Sequence, residues 1–383
     1  INNMYNKKDK LKESELEKIR ETVINKESID SIYTVIKKIK VVQDERYYLV
    51  KSIKLNIEYL MTVIKKETEK IPEYHYCLSN AKNIAHPNII SIIDIFEDEV
   101  NIYLINEIPK GKELFSSLKP NEYNEKVAGK IFSQIASALY YYHSRGYFHG
   151  YLRPEFINLE IEKKGLNNKI SNNIYNVNLL NYGELINITG NYYKSYEKSI
   201  KINKPYYTAP EILKKKEVSE KIDIFALGVI LYMLLCGKPP FNGNSNNSII
   251  NNILNNNWEF NNEFDEISSN SKDLITKMLN PNPDKRLSAK DILMHPWVIL
   301  SKEEDLPISS NTIKNTITNL TNFSAKDALQ IATMSFISNK LADANQKNEL
   351  KKIFKNFDEN GDGVLSYEEF TIGYTKLYGK ALS

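Results

Sequence analysis

The chain has 383 residues, 51 Lys and Arg against 48 Asp and Glu, and a net charge of only +3 with the two signs interspersed, a balance that argues against a nucleic-acid or membrane-surface binder. Its two cysteines, Cys77 and Cys236, lie far apart in apolar segments, too few for a disulfide framework and suited to a reducing compartment. No apolar run reaches the roughly 18 residues needed to span a bilayer and no secretory signal is visible, so a cytoplasmic location and two or more domains are expected.

Residues 9–26 are charge-dense, with Leu11, Leu16, Ile19 and Val23 near helical spacing, which predicts an exposed helix within an extension over residues 1–28. The sequence begins at Ile1 without an initiator Met, as expected for a piece of a longer protein. Strands are predicted across residues 31–56, at Ile32–Ile36 and Tyr47–Val50, because these runs are β-branched and aromatic. A helix over about residues 65–84 follows, then strands at Ile89–Ile95 and Asn101–Asn106, so residues 29–107 read as a small strand-rich unit.

From Asn124 the pattern turns helical, with Ile131, Ile135, Leu139 and Tyr142 on one stripe and Ile224–Leu235 almost wholly apolar. Lys214-Lys215-Lys216 reads as a solvated helix end or loop, and the Asn-rich stretch 242–257 as a polar loop with a flanking helix. Residues 108–298 thus form a larger helical unit, residues 299–348 a junction, and residues 349–383 a third unit. The fold class is α+β, a strand-rich lobe followed by a helical one.

Short motifs recur through the first two units. His86-Pro87-Asn88-Ile89-Ile90, Tyr103-Leu104-Ile105-Asn106-Glu107 and Lys110-Gly111-Lys112-Glu113-Leu114-Phe115 are followed by His149-Gly150-Tyr151-Leu152-Arg153-Pro154-Glu155-Phe156. Ala209-Pro210-Glu211, Asp223-Ile224-Phe225-Ala226-Leu227-Gly228, Pro283-Asp284-Lys285-Arg286 and His295-Pro296-Trp297 complete the order. That order resembles the serine/threonine protein kinases. The resemblance implies a bilobal kinase fold, a Glu211–Arg286 ion pair inside the large lobe, and Asp223 bracing the backbone of the catalytic loop.

The residues that do kinase chemistry depart from the pattern. In the H-R-D-L-x-P-E-N loop the Asp accepts the substrate proton and the Asn holds a metal ion; here they are Tyr151 and Phe156, with Arg153 between them and Gly150 in place of the motif's Arg. D-F-G becomes Asn181-Tyr182-Gly183, and the first glycine of the chain is Gly111, so no glycine-rich phosphate loop precedes it. Lys51 is read as the strand-three lysine, with an ordinary surface lysine as the alternative; its usual Glu partner is Cys77, and Glu73 is the nearest substitute. Asn106 stands at the gatekeeper and Glu107 beside it, completing the candidate nucleotide pocket. Glu113 and Glu155 match acidic substrate-contact positions.

The C-terminal unit carries a different motif. Asp358, Asn360, Asp362 and Ser366 supply oxygen side chains at places 1, 3, 5 and 9 of an EF-hand loop, Val364 a carbonyl at 7, Gly363 the turn at 6 and Glu369 a bidentate carboxylate at 12. Leu350, Ile353, Phe354 and Phe357 make an apolar stripe before the loop, and Phe370, Tyr374 and Leu377 one after it. Together with the kinase-like region this resembles the calcium-dependent protein kinases of plants and protists, with residues 324–342 as a junction segment or an ordinary packing helix. An EF-hand normally pairs with a second, so the array is expected to continue beyond the fourteen residues after Glu369, with a partner hand supplied by another molecule as the alternative.

These readings imply a calcium-responsive pseudokinase that binds or scaffolds a protein or peptide partner. Ca2+ is its expected cofactor, and the use of ATP and Mg2+ is put in question. The sequence points to no nucleic acid and no membrane span, and leaves oligomeric state open. The alternatives are an atypical active kinase that recruits Glu155 or Glu184 for metal binding, and a calcium buffer or assembly piece with an inert kinase part.

Overall fold

A computed structural model of the chain describes residues 24–42, 45–66, 78, 81, 82, 84–118, 124–162, 173–180, 205–216, 218–301, 369 and 372. The described residues fall into two compact units: the first takes those up to Ala85, Ile89–Pro109 and Leu180, and the second takes His86–Asn88, Lys110–Leu179 and Pro205 onward.

The first unit is a five-stranded sheet in the order β1-β2-β3-β5-β4, antiparallel throughout. Its strands are β1 (Tyr33–Val42), β2 (Glu45–Ser52), β3 (Glu58–Lys65), β4 (Ile92–Glu97) and β5 (Asn101–Asn106). Alternation along the strands gives the sheet two faces. On one, Tyr33, Val50, Tyr59, Met61, Val63, Phe96 and Ile105 form a buried cluster with Ile29 and Ile32 packed against it. The opposite face carries cross-strand rungs, Tyr47, Thr62, Leu104 and Ile95 in one and Leu49, Leu60, Asn106 and Ile92 in the next. Asn25 N–H donates to the Ile95 carbonyl at 2.8 Å, so residues 25–33 run from the β4 edge, through a single helical turn at Ile29–Ile32, to the β1 edge.

β3 corrects the sequence-based expectation. No strand is predicted at 58–65, and the helix predicted over 65–84 begins while the chain is still extended. Lys65 ends β3, Leu78, Ala81 and Lys82 are helical, and residues 67–77 lie outside the described residues. β4 begins at Ile92 rather than Ile89, because Pro87–Asn88 form a turn first. Of the helix predicted over 9–26, only residues 24–26 are described, and they form bends.

The second unit is mainly helical. Asn124 caps the helix Glu125–Ser144 by accepting from Val127 N–H, and one face of that helix carries Ile131, Ile135, Leu139 and Tyr142 into the core. β6 (Lys112–Glu113), β7 (Ile157–Glu162) and β8 (Ile174–Leu179) form a small antiparallel sheet beside it. The helix Lys221–Cys236 is apolar on nearly all sides and is correspondingly buried, ending at Gly237 with φ +74°. Further helices span Asn246–Leu254, Ser269–Met278, Ala289–Leu293 and Pro296–Ser301.

Two buried charges hold this unit. The Arg286 guanidinium donates to both Glu211 carboxylate oxygens at 2.7 and 3.0 Å, and to the carbonyls of Lys221 and Asn280 at 2.7 and 3.0 Å. A bidentate grip of this kind, with further donors placed on backbone carbonyls, is what makes a buried ion pair tolerable. The expected Glu211–Arg286 pair is therefore present.

Candidate functional site

In the second unit, Asp223 lies in the first turn of Lys221–Cys236 and is almost fully buried. Its carboxylate accepts from His149 N–H at 2.7 Å and Gly150 N–H at 2.8 Å, and lies 3.0 Å from His143 Nε2. Drawing two successive amides onto one carboxylate puts Gly150 at φ +78°, where a residue without Cβ bears no steric penalty. The loop backbone is thus braced as the sequence leads one to expect.

The side chains on that backbone have a different use. A 3-10 turn at Pro154–Phe156 turns Phe156 inward, and the rings of Tyr151 and Phe156 lie 5.4 Å apart at 46°. Only 6% of Tyr151 and 7% of Phe156 remain exposed. The Arg153 guanidinium lies 4.0 Å over the Tyr151 ring, and the His149 ring lies 6.4 Å from Phe156. The positions for a proton acceptor, a metal ligand and the residue between them are therefore engaged with one another as an aromatic stack under a cation. Phe156 has no oxygen for a divalent ion, and among the described residues no group of three or more His, Cys, Asp or Glu side chains is arranged to hold a metal. At the loop's metal position, Phe156 thus offers a divalent ion no side-chain oxygen.

Beside the stack, burial pushes the Tyr207 hydroxyl above its ordinary pKa, and the nearby Glu155 carboxylate adds to this. Tyr207 donates to Met233 Sδ at 3.4 Å. Glu155 and Glu113, both exposed, are the carboxylates that act on Tyr207. Asn181 lies outside the described residues.

In the first unit, the structure places Lys51 on β2, not on the third strand, where it pairs with Thr34 and Glu58 beside the β2–β3 turn. The third strand reads Glu58-Tyr59-Leu60-Met61-Thr62-Val63-Ile64-Lys65. A V-A-I-K pattern laid on Tyr59-Leu60-Met61-Thr62 ends at Thr62, which is 1% exposed, opposite Leu104 and Tyr47. Lys51 is four residues along β2 from Tyr47, about 13 Å from that rung. The signal sequence reasoning missed is this apolar triplet before a threonine.

Asn106 is buried on the same face, and its amide donates to the Leu104 carbonyl at 3.3 Å and reaches Thr62 Oγ1 at 3.5 Å. Glu107 N–H donates to the Ser91 carbonyl at 3.2 Å; burial, then the Glu107 carboxylate, raises the Tyr59 pKa. Asn106 and Glu107 therefore sit at the end of β5 as expected, but the face that Asn106 shares with Thr62 carries no cation on β3. Cys77 and Glu73 lie outside the described residues.

Of the six residues expected to hold calcium, Asp358, Asn360, Asp362, Val364 and Ser366 lie outside the described residues, and Glu369 is helical and buried. Their donor set is all oxygen, which suits a hard cation of calcium's size.

The protein kinase domain family model matches residues 32–298, and the EF hand domain model matches residues 349–377. Calcium-dependent protein kinase 4 of Plasmodium berghei (strain Anka) is 32% identical over 327 residues, covering 84% of this chain and 60% of the relative. Calcium-dependent protein kinase 5 of Plasmodium falciparum (isolate 3D7) is 35% identical over 309 residues, covering 80% of this chain and 51% of the relative. Calcium-dependent protein kinase 3 of Plasmodium yoelii yoelii is 32% identical over 313 residues, covering 81% and 55%. The chain spans between half and three fifths of the length of these curated relatives.

Proposed function

The chain belongs to the calcium-dependent protein kinase family, with a kinase domain followed by an EF-hand, and from that premise we propose that it is a calcium-responsive pseudokinase that binds or scaffolds a protein partner. The observation that carries this is the Tyr151–Phe156 stack beneath Arg153. A phenol is a poor proton acceptor near neutral pH, and losing general-base help alone costs about 10²–10⁴ in rate. Thr62 in the third strand supports the same reading, since a neutral hydroxyl cannot replace the lysine that grips nucleotide phosphates.

Asp358, Asn360, Asp362, Val364, Ser366 and Glu369 would hold Ca2+, which supplies charge and cross-linking to the EF-hand rather than chemistry. The intact Asp223 brace and Glu211–Arg286 pair give the large lobe a fixed surface for a partner, and the exposed Glu113 and Glu155 favour a basic peptide there. A cytoplasmic location belongs to the same proposal.

Thermal unfolding of the full chain with ATP, with and without Mg2+, tests the reading. The expected result is no Mg2+-dependent rise in midpoint. A rise that needs both ATP and Mg2+ would favour the atypical active kinase, with Glu155 as the exposed carboxylate in the loop to examine first.

A further inference from the structure

We propose that the β2–β3 turn and the adjoining edge of β1 form a surface that seats on an anionic lipid membrane. Six of the twelve strongly exposed large apolar side chains among the described residues fall between Val35 and Ile57. At the turn, Ile53, Leu55 and Ile57 are 57%, 43% and 49% exposed, and on β1 Val35, Ile36 and Ile39 are about equally so.

The backbone holds these side chains out. Ser52 N–H donates to the Ile57 carbonyl at 2.8 Å, Asn56 N–H to the Ser52 carbonyl at 2.9 Å, and Leu55 N–H to Ser52 Oγ at 3.2 Å, with Asn56 at φ +58°. The turn is therefore closed on itself and cannot fold its aliphatic tip inward. Ile53 N–H donates to the Ile32 carbonyl at 2.9 Å, tying the tip to the start of β1. On β1 the register slips between Val35 and Lys37 and again between Lys38 and Lys40, so that Ile36 and Ile39 are the extra residues of two bulges.

Charge selects the occupant. Lys37, Lys38 and Lys54 are exposed among these aliphatics, and among the described residues none is seen in an ion pair, while the described acids on the flanking helical turn and at the start of β3 are Asp30 and Glu58. The chain-wide balance of charge hides this local excess. A second copy laid against β1 would bring Lys37 and Lys38 against their own kind, and the two bulges break the regular edge that an added strand needs. A projecting aliphatic tip ringed by lysines matches the acyl boundary and the anionic headgroups above it.

Flotation of the full chain with vesicles, in EDTA so that calcium cannot bridge protein to lipid, decides the matter. The expected result is binding to phosphatidylcholine vesicles containing phosphatidylserine, weak binding to phosphatidylcholine alone, and loss of binding with added salt. Each lysine near an anionic surface contributes about a fivefold factor, so Lys37→Glu/Lys54→Glu should weaken binding by more than tenfold. Ile53→Ser/Leu55→Ser should weaken it comparably, and Lys290→Glu, an exposed lysine of the large lobe, should not. All these positions are exposed, so unchanged thermal unfolding confirms that each variant is folded. Failure to bind phosphatidylserine vesicles, or binding that both double variants leave intact, overturns the proposal.

Discussion

Replacing Tyr151 by alanine measures how far this position has passed from chemistry to packing. The ring is 94% buried by the 6% exposure that remains, and at ~25 cal/mol per Å2 the loss of roughly 130 Å2 of apolar surface is worth about 3 kcal/mol. Its contacts with the Phe156 ring at 5.4 Å and the Arg153 guanidinium at 4.0 Å add about 1 kcal/mol, for a total of about 4 kcal/mol, within the usual range for an aromatic cut to alanine in a core. The chain has two tryptophans, Trp258 and Trp297, and both belong to the large lobe that contains Tyr151. Their fluorescence in a urea titration therefore reports that lobe, and with a slope of about 2 kcal/mol per M the midpoint should fall by about 2 M. Tyr151→Phe, which keeps the ring and its stacking, should retain most of the stability. A midpoint shift for Tyr151→Ala below about 0.5 M, or equal losses in the two variants, would refute the packing argument.

Three further outcomes are expected. Arg286→Leu strands the Glu211 carboxylate in a site where it is 3% exposed and should destabilise the large lobe by about 3–5 kcal/mol in the same titration. Asp98 is partly desolvated, but its hydrogen bonds from Tyr103, Asn101 and Val100 outweigh this and hold its pKa down to about 2; its stabilisation of the β4–β5 turn is complete above the unfolded value near 3.9 and lost as pH falls toward about 2. Protection of the Val100 and Asn101 amides, taken relative to the unstructured rate at each pH, should fall across that window, and Asp98→Asn should abolish this pH-dependent loss. Glu369→Gln should weaken calcium binding strongly in calorimetry, because a bidentate carboxylate becomes a single neutral oxygen.

Much of the fold could be read from motif order, because a residue such as Arg286 or Asp223 signals its partner by chemical type: a buried guanidinium needs a carboxylate, and two loop amides need an acceptor. β3 could not be read in this way. It lies between β2 and β5 with both faces covered, so five consecutive residues, Tyr59–Val63, are buried and no alternation marks the strand. The lysine that would have marked it is Thr62, and Lys51, on a neighbouring strand of similar composition, was the nearest candidate. In the catalytic loop, the sequence shows that oxygens are missing at 151 and 156; that the replacements pack on each other under Arg153 depends on the 3-10 turn and needs coordinates.

The central claim is that phosphoryl transfer has been given up at positions that still fold as a kinase. Its most direct test is incorporation of labelled phosphate from ATP, into the chain itself and into a basic peptide, with Mg2+ or Mn2+ and saturating Ca2+, beside the Tyr151→Phe variant. Counts at the level of the protein-free blank in every arm are predicted. Turnover that scales with protein concentration and changes with substitution at Tyr151 would contradict the account.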